Sequence, residues 1–497
     1  VIELDWLKRW SLYSPNAVAL QEGDGNKAFS YSELFTRSQK AAHLLSTRYG
    51  VRKGDRVAVF SQNRAEYVVL FFGLQRLGAI LAPLNFRLTA REVNQILGDC
   101  SAKLLIFESE FETIVSELDP VNRPEILDFE NFWSQLDTVE RAKEDFFDGQ
   151  FDDPCMIIYT AGTTGFPKGA VITHKMIFWN SVNTSMRLNL TGQDVTPIFL
   201  PMFHTSGWHV LTTPLFHRGA KIILLKKFDP ELILSLCEKE KVTILFGVPT
   251  TMDRLAHSPN FERADLSTVR YAIVGGEPMP IELIQTWERK GIPIRQGYGL
   301  TEFGPGVFSL SESDSHRKIG SIGFPNFYVD AKVVDDNGIG VERGNVGELV
   351  LKGPSCSPGY WNNPKATAET IKAEWFFTGD LVRQDLDGYF YVIGRKKDMY
   401  KSGGENVYPA EVEQVIYKLP GIHEVAVIGV KDSKWGEVGR AFVSLEPNHR
   451  LSEDDVLKHC QANLAKFKIP AKIFFVDDLP KSESGKVLKR KLGEMTP

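Results

Sequence analysis

The chain has 497 residues, of which 43% are hydrophobic and 24% charged, with a formal net charge of −5 and a pI near 6.1. That length exceeds what one hydrophobic core holds and predicts at least two domains of ordinary globular composition. The mildly acidic balance excludes a general basic field for nucleic acid, so any nucleotide must be held at a local site.

The first ten residues already carry Glu3, Asp5, Lys8 and Arg9, which argues against a secretory signal, and the absence of an initiating Met suggests a trimmed or renumbered start. An apolar stretch at 67–83 is interrupted by Gln75 and Arg76. It predicts a helix with Leu70, Leu74 and Leu77 on one face rather than a membrane span. Short apolar runs at 56–60, 79–83, 103–107, 156–160, 221–225, 243–247 and 270–274 alternate with helical stretches. They predict α/β layers with buried sheets. From 316 to 393 the runs 332–335, 347–352 and 388–393 alternate and are separated by Asp336-Asn337-Gly338 and Asp387-Gly388. That is the pattern of a β-rich subdomain.

The polar stretch Gly394-Arg395-Lys396-Lys397-Asp398 then reads as a hinge. Beyond it, a helix at 410–419, strands at 425–430 and 441–445, a helix at 452–464 and a strand at 472–476 predict a small α+β domain. The expected division is therefore 1–394 and 395–497. Cys100, Cys155, Cys237, Cys356 and Cys460 are too scattered for a zinc or CxxC motif. They predict buried thiols in a reducing cytoplasm.

Chemistry first becomes legible at Thr160-Ala161-Gly162-Thr163-Thr164-Gly165-Phe166-Pro167-Lys168-Gly169, directly after the strand at 156–160. Glycines let backbone amides approach an anion, threonines add hydroxyls and Lys168 adds charge, which suits a nucleotide triphosphate. Gly169 stands where a Walker A loop needs Ser or Thr, and the GxGxxG pattern also fails.

With Tyr159, the loop resembles the signature of the adenylate-forming enzymes, which include acyl-CoA synthetases, firefly-type luciferases and peptide-synthetase adenylation domains. Ala161 replaces the usual serine. A lost hydrogen bond to a charged group costs about 1.5–3 kcal/mol, enough to weaken ATP use without abolishing it. The family's other motifs follow in order. Leu200-Pro201-Met202-Phe203-His204-Thr205-Ser206-Gly207 resembles the motif flanking the acyl pocket, and the resemblance places His204 beside the carboxylate, with Trp208 and Gly299 as further pocket residues. Gly275, Gly276, Glu277 and Pro278 match the segment lying against adenine. Gln296-Gly297-Tyr298-Gly299-Leu300-Thr301-Glu302 matches the second nucleotide motif. It implies Tyr298 as a flat face for adenine, Thr301 as a phosphate donor and Glu302 as the Mg²⁺ ligand. Asp380, with Arg395, is implied at the ribose.

Lys397 is implied as the pivot, and Lys401, Gly403 and Gly404 as the track for the coenzyme A arm. Lys486, in Leu479-Pro480-Lys481-Ser482-Glu483-Ser484-Gly485-Lys486, is implied as the catalytic lysine between carboxylate and α-phosphate. The resemblance thus implies an ATP- and Mg²⁺-dependent acid–thiol ligase that makes an acyl-adenylate and then acyl-CoA. Its acid is expected to be an apolar monocarboxylate, a medium- or long-chain fatty acid before an aryl acid. Its partners are the acid and coenzyme A, with no nucleic acid. Peripheral membrane contact and a homodimer stay open by analogy. The alternatives are an enzyme loading a carrier protein, although no carrier domain follows Lys486, a luciferase-like oxidation, and a non-catalytic sensor of nucleotide or acyl ligand.

Overall fold

The computed structural model describes residues 2–121, 123–140, 146–160, 167–447, 449–481 and 487–495. Five sheets organise them. The largest has six strands. Its parallel members Glu125–Asp128, Leu104–Phe107, Arg56–Phe60, Ile80–Leu84 and Pro154–Thr160 lie side by side, and Lys168–Thr173 closes one edge antiparallel to Pro154–Thr160. A second sheet pairs Ala28–Ser30, Val18–Glu22, Lys221–Leu224 and Val195–Ile198. A third runs Ile244–Gly247, Tyr271–Val274, Ile294–Tyr298, Phe308–Ser309 and Phe324–Pro325. Short apolar runs form these strands because both faces are covered and alternation is not needed. The strand Arg56–Phe60 is fully buried beyond its first residue.

The β-rich segment forms an antiparallel sheet from Asp330–Val334, Val346–Lys352, Trp375–Gln384, Ile371–Lys372 and Phe390–Arg395. Trp375–Gln384 is ten residues long and central, although Gly379 interrupts it at φ +70°. In the C-terminal segment, Glu405–Val407, Tyr400–Ser402, Gly436–Leu445, Ile422–Asp432 and Lys472–Phe475 form the fifth sheet. The helices Pro409–Tyr417 and Glu453–Asn463 pack beside it around Val412, Ile416, Val456 and Cys460. The class is mixed α/β, as the alternation of elements predicts.

The reading of 67–83 needs correction. The helix Ala65–Leu77 has no solvent face, and all of its residues are buried. It packs on Tyr31–Arg48, whose start is fixed by a reciprocal cap between Ser30 and Glu33. Gly73 allows that contact, since a Cβ there would stand 2.8 Å from Ala41 Cβ. Arg76 does not break the helix because its charge is matched. It is ion-paired with Asp5 and donates to Phe146 O at 3.1 Å and Ser38 Oγ at 3.2 Å. Removing one member of such a buried pair costs about 3–5 kcal/mol. Among the described residues, no helix is long and apolar enough to cross a membrane. Cys100, Cys155, Cys237 and Cys460 are buried and Cys356 is half-buried, all as free thiols.

Candidate active site

A cleft of about 2470 Å³ runs between the large N-terminal sheets and the C-terminal sheet. The hairpin Pro154–Thr160 and Lys168–Thr173 enters it, with Thr160 opposite Lys168. Thr160 Oγ1 donates to Lys168 O at 3.3 Å. Ala161, Gly162, Thr163, Thr164 and Gly165 lie outside the described residues. The segment 357–361 straps the outside of the hairpin. Trp361 N donates to Gly169 O at 2.7 Å, Val171 N to Gly359 O at 3.0 Å and Ser357 Oγ to Val171 O at 2.7 Å. The same strap reaches Glu302: Ser357 N donates to Glu302 O at 2.8 Å, and the Tyr360 hydroxyl to Glu302 Oε1 at 2.9 Å. Lys168 Nζ lies 5.3 Å from the Tyr360 ring centroid. Tyr360 is absent from the motif reading. Its signal is Pro358-Gly359 followed by two aromatics, a turn that delivers rings to one place.

Tyr298, Thr378, Asp380 and Arg395 form one polar clasp. The Tyr298 hydroxyl donates to Asp380 Oδ2 at 2.5 Å, and Arg395 Nε pairs with Asp380 Oδ1 at 2.7 Å. Asp380 N donates to Thr378 Oγ1 at 3.0 Å, and Thr378 Oγ1 donates to Leu349 O at 2.8 Å. Strand register explains the meeting, because Asp380 is the cross-strand partner of Arg395. Burial first, and the Asp380 carboxylate second, push the Tyr298 phenol well above its ordinary range. It therefore acts as a donor at neutral pH, while the remaining lone pairs of Asp380 can take ribose hydroxyls. One edge of Tyr298 packs on Phe308, with centroids 5.8 Å apart.

Gly275, Gly276, Glu277 and Pro278 line the cleft at the end of the strand Tyr271–Val274. Gly276 has φ +89°, and a Cβ on Gly275 would lie 3.2 Å from Gly297 O. Met279 N donates to Gln296 Oε1 at 3.1 Å, tying this turn to the next strand. A flat group can therefore lie against backbone here. Gly297, Gly299, Thr301 and Glu302 line the same cleft. At Gly299 any side chain is excluded, since a Cβ would stand 2.0 Å from Pro305 O.

On the acyl side His204 lines the cleft and begins the short helix Thr205–Trp208, its ring 4.6 Å from that of Phe203. Trp208 is not a cleft residue. It is fully buried, donates its indole N–H to Met202 O, and packs at 5.5 Å from Tyr67 and 4.7 Å from Phe71. One helical turn separates it from His204, which is enough to point it into the core. Leu188, Val210, Phe246, Ile273 and Phe308 line the cleft instead. Asn180, also missed, is 1% exposed and bridges two walls. Its Nδ2 donates to His209 O at 2.6 Å, and its Oδ1 accepts from Gly306 N at 2.8 Å.

Lys397 sits exposed in a turn on the rim. Lys396 beside it is anchored, to Asp336 at 2.8 Å, to Glu348 at 3.0 Å and through its N–H to Gly379 O at 2.9 Å. Lys401, Gly403 and Gly404 are not brought to the cleft wall. Lys401 borders a smaller depression with Lys431, Asp432 and Glu437, and a Cβ on Gly403 would meet the Trp435 ring at 2.9 Å. Lys486 lies outside the described residues.

Among the described residues, no group of three or more His, Cys, Asp or Glu could hold a metal alone. The donor set fits Mg²⁺ on a nucleotide, which needs one or two hard carboxylate oxygens and takes the rest from phosphates and water. Glu302 is half-buried on the cleft wall and could supply such a carboxylate.

Residues 7–361 match the family model described as AMP-binding enzyme, and 411–486 match the one described as AMP-binding enzyme C-terminal domain. The chain belongs to the AMP-binding enzyme family. It is 40% identical over 484 residues to a feruloyl-CoA synthase of Amycolatopsis sp, covering 97% of each chain. It is 37% identical over 497 residues to the long-chain-fatty-acid–CoA ligase FadD13 of Mycobacterium tuberculosis, covering 98% of this chain and 97% of the other. The fold superposes on ATP-bound MatB from Rhodopseudomonas palustris with a TM-score of 0.93, at 32% identity and 99% coverage of both chains. This protein is an AMP-forming acid–thiol ligase that uses ATP, Mg²⁺ and coenzyme A.

Proposed function

We propose that the ligase activates an apolar monocarboxylic acid, with a medium- or long-chain fatty acid as the first reading. The observation carrying it is that apolar side chains, Leu188, Val210, Phe246, Ile273 and Phe308 among them, line the cleft. An aryl acid is the second reading. The 40% identity to a feruloyl-CoA synthase favours it.

In the first half-reaction a carboxylate oxygen attacks the α-phosphorus of ATP and pyrophosphate leaves. The barrier is the approach of an anion to a polyanion. Lys486 bridges carboxylate and α-phosphate, Lys168 and the loop after Thr160 hold the phosphates, and Asp380 with Arg395 holds the ribose. Glu302 would hold Mg²⁺, which would supply charge to offset that of the phosphates. In the second half-reaction the thiolate of coenzyme A attacks the acyl carbon and AMP leaves. Lys486 must then vacate the site, and we assign the pivot to Lys397, the exposed residue following the anchored Lys396. The unit that turns is 395–497. The buried free thiols support a cytoplasmic setting.

The test is AMP release with Mg-ATP and coenzyme A across acids from acetate to palmitate, with benzoate and cinnamate. A chain-length optimum supports the fatty-acid reading, and a preference for rings replaces it with the aryl one. Acyl-AMP formation without thiol-dependent turnover would transfer the second step to a carrier protein.

A further inference from the structure

We propose that Tyr360 is a positioning residue for nucleotide binding, fixing Glu302 toward the divalent cation with its hydroxyl and Lys168 toward the phosphates with its ring. Among the described residues Glu302 has the Tyr360 hydroxyl as its side-chain partner and no ion-pair partner. Its side chain accepts the Tyr360 hydroxyl on Oε1 at 2.9 Å, which leaves Oε2 for another ligand. Lys168 Nζ is 5.3 Å from the same ring, within reach of its electron-rich face.

Tyr360 is itself held on both sides. Its N–H donates to Thr367 Oγ1 at 3.0 Å, it bridges Ala170 across the hairpin, and Trp361 N is tied to Gly169 O. One side chain therefore spans the phosphate hairpin and the metal carboxylate, which come from positions more than a hundred residues apart.

The hydroxyl and the ring separate experimentally. Tyr360→Phe keeps the ring and the fold, and Tyr360→Leu removes both functions. Equilibrium binding of ATP is measured by calorimetry, once with Mg²⁺ and once with EDTA. For Tyr360→Phe the affinity gained from Mg²⁺ should fall on the order of tenfold, as for a lost hydrogen bond to a charged group, with binding in EDTA unchanged. Tyr360→Leu should additionally weaken binding in EDTA about threefold through Lys168. In a Glu302→Gln background, Tyr360→Phe should cause no further loss, since the two act through one contact. An unchanged Mg²⁺ gain in Tyr360→Phe, an equal loss in EDTA, or additive losses in the double variant would each overturn the proposal.

Discussion

The two sides of the cleft are built by different physics. In one part, Tyr298, Thr378, Asp380 and Arg395 are joined by directional bonds of 2.5 to 3.3 Å, with Glu348 and Lys396 beside them. Elsewhere along the cleft, Leu188, Val210, Phe246, Ile273 and Phe308 contribute apolar surface, and Asn180 bridges His209 O and Gly306 N behind it. A hydrogen-bonded clasp tolerates little variation in residue type, because an unmatched buried polar group costs about 1–3 kcal/mol. An apolar wall tolerates exchange among residues of similar volume, usually for less than about 1.5 kcal/mol. Nucleotide chemistry is thereby fixed while the acid can differ among relatives.

Four substitutions test that contrast. Lys486→Ala should have the largest effect, lowering ATP–pyrophosphate exchange about a thousandfold, as for loss of a transition-state charge contact. Preformed acyl-AMP should still react with coenzyme A, and unimpaired exchange would remove Lys486 from its role. Lys397→Pro should lower thioester formation about a hundredfold by misplacing the second-step geometry, while acyl-AMP still forms. Equal loss of both steps would place the pivot elsewhere. Asp380→Asn should raise the KM for ATP roughly tenfold with the order of preference among acids unchanged. A changed preference would show that clasp and wall are not independent. The smallest effect belongs to Trp208→Phe, which leaves Met202 O without its donor. It should cost about 1–3 kcal/mol in chemical denaturation and leave the preferred acid as it was. A shifted acid preference would return Trp208 to the acyl wall.

The same contrast explains what could be read in advance. The strands at 56–60 and 156–160 are legible because apolar runs bounded by charge or turns have few alternatives. Tyr298 and Asp380 are legible because their chemistry is carried by motifs, although the 2.5 Å bond between them spans 82 positions and no local pattern announces it. Trp208 misled because adjacency to a motif says nothing of which way a helical residue points. At 67–83 three leucines on one face fit an amphipathic helix, yet the helix is buried all round because Asp5 neutralises Arg76. The roles of Tyr360 and Asn180 were hard to read for a related reason, since each matters through partners distant in sequence, although the turn Pro358-Gly359 before two aromatics marks the first.

The Arg76 tie also bears on how two distant stretches of chain are held together. Asp5 caps the first helix, Trp6–Tyr13, as well as meeting the guanidinium, and Trp6 stacks on His217 at 4.1 Å. One carboxylate therefore serves a helix start and a buried cation at once, and its removal would strand that cation in the middle of the protein while loosening the aromatic plug beside it. The segment around Asp5 acts as a latch on a core built some seventy positions later.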